Sequence, residues 1–247
     1  MAILFTIMGK IKLNVIKKLI LDTVVAIKNV GILNTSKLYL SAIIDRLFYY
    51  DSDYDIKEPI DPRDTIPSHP SVRHATIYFP TRVRPFMKML ETLNLNKSDT
   101  VFVDFGCGKG RALLLAAEFG VKKVKGIEFC DKLSSIAFNN MQRYSDKYSN
   151  RNIEFEVINN DMSLYNLDEL DNLFYLYNPC DEYILDKVIQ NIIDSFSEVP
   201  RWGVIVYQNN TINHPTIFDN YKALSFLFCK EFTGNKFFIY EIHKNIQ

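Results

Sequence analysis

Residues 101–111 read VFVDFGCGKGR. A short apolar run delivers an acid, Asp104, and is followed at once by Gly106, Gly108 and Gly110. The chain has only nine glycines among its 247 residues, so three of them here require a reason. Glycines between a buried strand and a helix turn the chain sharply and let a ligand approach the backbone. The next apolar run, VKGIEF (124–129), carries Glu128, twenty residues beyond Gly108. An acid at that spacing accepts hydrogen bonds from both hydroxyls of a ribose. Together the two segments read as a site for a nucleoside-containing cofactor.

The loop discriminates among such cofactors. A dinucleotide fingerprint is GxGxxG, whereas this loop is GxGxG with Lys109 and Arg111 around the last glycine. The phosphate loop GxxxxGK[ST] is absent. Asp104 repels a pyrophosphate and suits a cation. S-adenosylmethionine carries a sulfonium and an α-ammonium and no phosphate.

The elements that must position these residues follow from the periodicity. Strands are predicted over 101–105, 124–129, 153–159, 172–178, 202–209, 224–232 and 236–243. Helices are predicted over 84–93, 112–120, 132–148 and 181–196. Thr233-Gly234-Asn235 between the last two strands reads as a hairpin turn. Strands alternating with helices predict an α/β, Rossmann-like, doubly wound sheet of seven mostly parallel strands. An antiparallel C-terminal hairpin closes it. Residues 51–72, DSDYDIKEPIDPRDTIPSHPSV, are rich in Asp and Pro and read as an ordered loop or linker. The expected division is therefore an N-terminal helical extension and linker (1–72) and one α/β domain (73–247).

At these positions the chain resembles the class I S-adenosylmethionine-dependent methyltransferases. Their first motif ends a strand with an acid and GxGxG, and their second ends the next strand with an acid. Asn160-Asp161-Met162 follows the third strand, where that family places an acid near the adenine amino group. Tyr177-Asn178-Pro179-Cys180 ends the fourth, where several branches carry [N/D]PP[Y/F]. The resemblance runs over residues 74–243. Upstream, Tyr78-Phe79-Pro80-Thr81 resembles the YxPT segment of small bacterial methyltransferases that also carry FVDxGxGKGR. They are similar in parts to the non-SET histone lysine methyltransferases, which close on their cofactor with a tyrosine–proline segment. The resemblance implies S-adenosylmethionine held by Asp104, Gly106, Gly108, Gly110, Glu128, Asp161, Met162 and Thr81, with no metal. It places Tyr78 and Asn178 at the transfer site, with Tyr78 and Thr81 over the methionine moiety. Cys180 departs from the aromatic that relatives often have there, which weakens any aromatic substrate platform.

Methyl transfer asks mainly for alignment and exclusion of water, because the sulfonium is a built-in leaving group. An amine must arrive unprotonated, and a hydroxyl needs a base. The amide oxygen of Asn178 and the adjacent backbone carbonyl are expected to accept from a substrate amine. The plainer role for Asn178-Pro179 is a rigid strand end shaping the cofactor pocket. Base candidates for a hydroxyl are His74, His214 and Asp181. The acceptor classes are a protein lysine or other amine, a sugar hydroxyl and a nucleic-acid base. Two other classes compete with an enzyme of this kind: a non-catalytic cofactor-binding scaffold, and a nucleotide-dependent oxidoreductase, the latter weakened by the missing GxGxxG.

Charge and composition set the remaining bounds. Lys plus Arg and Asp plus Glu are both 29, so there is no global basic footprint for nucleic-acid phosphates. Cys107, Cys130, Cys180 and Cys229 form no CxxC pair, which argues against zinc and disulfides and for free thiols in a reducing, cytoplasmic setting. Lysines interrupt every apolar window near the N-terminus, so residues 1–48 read as amphipathic helices rather than a span or a secretory signal. Seven cations face only Asp22 and Asp45 in the first 50 residues. Such helices pack on the domain or a second subunit, or lie on an anionic inner membrane surface.

Overall fold

The computed structural model describes residues 24, 27, 28, 31–33, 35–37, 39, 40, 43, 45, 53–56, 60–66 and 69–243. Seven strands form one sheet: β1 (Val101–Phe105), β2 (Lys123–Ile127), β3 (Glu154–Ile158), β4 (Leu173–Tyr177), β5 (Gly203–Gln208), β6 (Leu224–Phe232) and β7 (Asn235–Ile242). Their order is β3-β2-β1-β4-β5-β7-β6. The first five strands are parallel, and β7 enters antiparallel between β5 and β6. This is the sheet expected from the alternating pattern. β2 ends at Ile127, so Glu128 lies just past the strand, where its side chain is free of the pleat.

Every residue of β1 is buried because both faces of the sheet are covered. Val101, Val103 and Phe105 point to one side, where α4 (Glu182–Glu198) packs its Ile189, Ile192 and Phe196. Phe102 points to the other, toward α1 (Val83–Thr92), α2 (Arg111–Phe119) and α3 (Asp131–Lys147). After β1 the chain builds outward through β2 and β3, then returns to place β4 on the opposite side of β1. That reversal leaves a crevice beyond the carboxyl ends of β1 and β4, which is where open α/β sheets receive ligands.

The segment read as an ordered loop or linker is tightly stitched to the domain. Tyr54 and Ile56 are buried in the same core as Phe86 and Phe102. The Asp55 N–H donates to the Asn140 amide oxygen, its carbonyl accepts from Asn140 Nδ2, and its carboxylate pairs with Lys109 at 2.7 Å. Ile60 pairs with Tyr78 in an isolated antiparallel bridge. Two proline-started turns, Pro62–Thr65 and Pro70–His74, are capped by the side chains of Asp61 and His69. Before residue 50 every described residue is helical, and its Asp45 is 3% exposed. Both Asp45 oxygens accept from the Val83 N–H at 3.1 Å, capping α1, whose own N-cap side chain makes no such bond. The expected helices of residues 1–23 lie outside the described residues.

The expected division after residue 72 crosses these contacts: a chain beginning at Arg73 lacks two core side chains, the Lys109 partner and the α1 cap. Loss of the cap alone costs about 1 kcal/mol, and burial of Tyr54 and Ile56 is worth roughly 1.5–3 kcal/mol each. Chains beginning at Arg73 are expected to unfold at markedly lower urea than the full chain. Equal midpoints would show that residues 45–60 contribute nothing to the fold.

Candidate cofactor and acceptor site

A cavity of about 330 Å³ occupies the crevice beyond β1 and β4. Asp104, Gly106, Gly108, Glu128, Met162, Asn178, Tyr78 and Thr81 all line it. Eight residues singled out from the sequence, from five separate segments, are thus brought to one place. Gly110 and Asp161 are not among the lining residues.

The glycine loop is built around close approach. Gly108 has φ +55, and a Cβ there would lie 2.1 Å from Cδ2 of Tyr78. The tyrosine ring therefore lies directly against the loop backbone. Gly106 has φ +79, and its Cβ would lie 2.7 Å from Cβ of Pro179. One glycine admits the ring from the Tyr78 segment and the other admits the proline after β4. A Cβ at Gly110 would instead meet Ala137, so this third glycine serves the packing of α2 on α3. That is the physical reason it does not reach the cavity.

Glu128 is 4% exposed and ties the two strand ends together. Its carboxylate accepts from the Gly108 N–H at 2.9 Å and from the Cys130 N–H at 3.0 Å. One bond to each oxygen leaves a lone pair on each for further donors. Burial pushes its pKa up to about 7, against the pull of those backbone donors. Asp104 is 3% exposed, and neither of its oxygens has a hydrogen-bond partner among the described residues. Burial, reinforced by the Glu128 charge, holds its pKa well above the ordinary carboxylate range. An unpaired buried acid on a cavity wall is a receptor for a cationic ligand group.

Asp161 is used locally. It caps the turn Met162–Leu164, accepting from the Ser163 N–H at 2.8 Å and the Ser163 hydroxyl at 2.7 Å, and from the Ser71 hydroxyl. Burial raises its pKa, but the serine hydrogen bonds outweigh it and the net shift is downward. With its oxygens held by Ser71 and Ser163, this carboxylate is not among the residues that line the cavity. Its neighbour Met162 reaches the cavity instead.

Asn178 ends β4 with φ +41, a left-handed conformation that asparagine tolerates. It lines the cavity, but its amide oxygen accepts from the Tyr207 hydroxyl at 2.9 Å and from Asn209 Nδ2 at 3.0 Å. Its backbone carbonyl accepts from the Thr76 hydroxyl at 2.7 Å, and the adjacent Pro179 carbonyl accepts from the Thr76 N–H at 3.1 Å. The Asn178 amide oxygen, expected to accept from a substrate amine, accepts in this structure from Tyr207 on β5 and from Asn209 just past it. What the sequence left unassigned is the partner wall: Asn209, Asn210 and Thr211, just past β5, with Tyr177 on β4. Asn210 Nδ2 donates to the Tyr177 hydroxyl at 3.3 Å. The run of two asparagines after a buried strand is the signal for this wall.

None of the base candidates lines the cavity. His74 Nδ1 is 2.6 Å from Asp181 Oδ2, and His214 pairs with Asp219. Among the lining residues there is no histidine, and the wall of Tyr177, Asn178, Asn209 and Asn210 is neutral. Among the described residues no His, Cys, Asp and Glu group is arranged for a metal ion.

Residues 71–167 match the family model described as histone methylation protein DOT1. A protein-lysine N-methyltransferase of Saccharolobus islandicus (strain REY15A) is 37% identical over 67 residues. That match covers 27% of this chain and 41% of the relative, so the chain spans about two fifths of the curated relative it matches. Among solved structures, an RNA methyltransferase from Salinibacter ruber in complex with S-adenosyl-L-homocysteine aligns with a TM-score of 0.52 and 17% identity, over 68% of this chain and 97% of that one. The Escherichia coli protein yhhF, itself assigned as a methyltransferase, gives 0.53 and 15%, over 68% and 90%. The chain has the Rossmann-like fold of the class I S-adenosylmethionine-dependent methyltransferases and resembles them in sequence through the segment that builds the glycine loop and the Glu128 turn.

Proposed function

We propose that the protein is a methyltransferase using S-adenosylmethionine, and that its acceptor is an amine, a protein lysine ahead of a small molecule. The observation that carries the cofactor is the pairing of a glycine loop with two buried acids, Asp104 and Glu128, on one cavity. Glu128 has lone pairs left for ribose hydroxyls, and Asp104 has no partner of its own among the described residues. Two buried acids on the cavity wall oppose a pyrophosphate. When bound, the cofactor supplies a methyl group on a positively charged sulfur. The chain's own part is to orient and to exclude water. Tyr78 covers the loop, Thr81 and Met162 close the cavity walls, and the glycines bring the backbone within reach.

The amine acceptor is supported by the neutral wall at the ends of β4 and β5. A hydroxyl acceptor, as in a sugar, needs a base that this wall does not offer. A neutral amine needs only orientation. The names of the matched family and of the archaeal relative point the same way. In this reading Asn178 is a positioning residue that locks Tyr207 and Asn209. Asn178→Ala is expected to leave those buried groups unpaired, costing about 1–3 kcal/mol of stability, and to depress transfer far more than cofactor affinity. Tyr207→Phe reproduces part of the loss. An equal fall in affinity for S-adenosylhomocysteine would move Asn178 to the cofactor side.

Titration calorimetry with S-adenosylhomocysteine and with NAD tests the cofactor. Tight binding of NAD alone would replace the reading with a nucleotide-dependent oxidoreductase. Transfer of labelled methyl from S-adenosylmethionine to protein, polysaccharide and small-molecule fractions of a lysate tests the acceptor. Binding without transfer to any fraction would mark a non-catalytic scaffold.

We propose further that the protein acts in the cytoplasm and that residues 1–48 dock it on an anionic membrane surface or a second subunit. All four cysteines are free thiols, which suits a reducing compartment. Ile32, Leu33, Leu40 and Ile43 are more than half exposed on described helical backbone, and Lys28 and Lys37 are nearby in sequence. No described helix is long and apolar enough to cross a membrane. Flotation with anionic vesicles, abolished by salt, supports the membrane, whereas a dimer in solution without flotation supports the subunit.

A further inference from the structure

The cavity wall formed by residues 75–79 and Thr81 is held from two sides. Its first half belongs to the end of β4. Ala75 pairs with Cys180 in an isolated antiparallel bridge, the Thr76 N–H donates to the Pro179 carbonyl at 3.1 Å, and the Asp181 N–H donates to the His74 carbonyl at 3.0 Å. Its second half belongs to the chain that precedes it. The Tyr78 N–H donates to the Ile60 carbonyl at 2.9 Å, the Tyr78 hydroxyl to the Ile56 carbonyl at 3.4 Å, and the Val83 N–H to Asp45.

The same preceding residues hold the glycine loop that the Tyr78 ring covers. The Lys109 ammonium pairs with Asp55 at 2.7 Å, its only opposite charge among the described residues. Asn140 on α3 donates from Nδ2 to the carbonyls of Lys109 and Asp55, at 2.9 and 3.1 Å. Asp45 Oδ2 lies 3.5 Å from Arg111 Nη2 at the far end of the loop. Asp45, Asp55 and Lys109 are not among the lining residues, so they hold the walls of the cavity and not its contents. The two sides differ in what parts them. On the β4 side the ties are a backbone ladder. On the other side an ammonium whose side chain is 3% exposed depends on a carboxylate that is 58% exposed. Local opening begins at polar contacts that water reaches. Closed, the ring leaves no gap, since a Cβ on Gly108 would lie 2.1 Å from it. The loop backbone there is reached only when the ring lifts.

We propose that Asp45, residues 53–56 and Ile60 are a latch on the cavity. When the Asp55–Lys109 pair parts, the Tyr78–Thr81 half of the wall lifts with them, while the Ala75–Thr76 half stays on β4. This opening sets the rate at which the ligand enters and leaves. The identity of that ligand rests on the S-adenosylmethionine reading above; the motion does not.

Amide hydrogen exchange on the full chain tests the motion without any ligand. Asp55→Asn keeps the shape and removes the charge. The Tyr78 N–H, bonded on the latch side, is expected to exchange about tenfold faster, the scale of a weakened hydrogen bond to a charged group. The Thr76 N–H, bonded on the β4 side, is expected to stay within about twofold. Equal acceleration of both would show a general loss of stability and overturn the latch, as would no change in either. Stopped-flow mixing with S-adenosylhomocysteine tests the gate. Association and release are both expected to rise about tenfold, with affinity within about threefold, because the broken pair touches no ligand. Faster release with an equal fall in affinity and unchanged association would make Asp55 a support of the bound state and overturn the gate. Lys109→Met removes the buried charge along with its need for a partner, and stands if Asp55→Asn does not fold. It is expected to give the same pattern, and in the double variant the two accelerations are not expected to multiply. If the wild-type chain does not bind S-adenosylhomocysteine, the cofactor reading falls, and the exchange of Tyr78 against Thr76 still decides the latch.

Discussion

Gly108→Ala is expected to be among the most damaging single-methyl additions in the chain. The new Cβ would sit 2.1 Å from Cδ2 and 2.5 Å from Cε2 of Tyr78, well inside van der Waals contact. The residue also has φ +55, where an L side chain costs roughly 1–2 kcal/mol. Eviction of the ring loses burial of an aromatic side chain, about 2 kcal/mol more. The sum, roughly 3–4 kcal/mol, should lower the denaturation midpoint and weaken S-adenosylhomocysteine by at least tenfold. The decisive measurement is a double-mutant cycle with Tyr78→Ala. Removing the ring first eliminates the collision but not the backbone strain, so the two losses should fall short of additivity by about 2 kcal/mol. Strict additivity would mean that ring and glycine do not touch in solution.

The second large effect is at Glu128. Glu128→Ala leaves the buried N–H groups of Gly108 and Cys130 without acceptors, at about 1–3 kcal/mol each. Glu128→Gln keeps an oxygen for one of them and removes the charge, so it separates fold from ligand. The pH dependence carries the sign. The folded-state pKa is raised to about 7 from an ordinary 4.5, because burial penalises the ionised form. Between those values the unfolded chain binds fewer protons than the folded one, so stability falls as pH rises. The contribution is present below the unfolded pKa and lost as pH passes 7, amounting to at most about 3 kcal/mol. Asp104, raised by the same burial, adds a slope of the same sign. Glu128→Gln should remove the Glu128 share, seen as a smaller difference between unfolding free energies at pH 5 and pH 8. Ligand binding runs the other way. Ribose hydroxyls donate to the ionised carboxylate, so S-adenosylhomocysteine should bind more tightly as pH rises through 7. That trend should flatten in Glu128→Gln. An unchanged pH profile in the variant would remove Glu128 from the ligand site.

What the sequence determined by itself is what short-range physics controls. Apolar runs of strand length, amphipathic helical stretches and the turns between them depend on neighbouring residues. Strand β1 was accordingly legible to the residue, and the closing hairpin lost only its turn Asn235 to β7. The glycine loop and Glu128 were legible for the same reason, since each sits at a fixed offset from a strand end. Which polar groups meet was decided only by the tertiary structure, because pairing partners lie at sequence separations that no local pattern limits. Asp161 is taken by Ser71, 90 residues away, and the Asn178 amide oxygen by Tyr207 and Asn209 across the sheet. Lys125 lies within β2, and only the fold shows it fully buried and paired with Asp171 at 2.8 Å. The Asp/Pro-rich stretch read as an ordered loop or linker, and only the fold shows that Tyr54 and Ile56 find core contacts, which composition does not encode. The same holds for Arg111, which the sequence places after the last loop glycine without saying what it meets. Only the fold sets it inside a cavity with a distant ion contact, unspent donors and an acid without a partner beside it, because desolvation is a property of the packed chain and not of the residue.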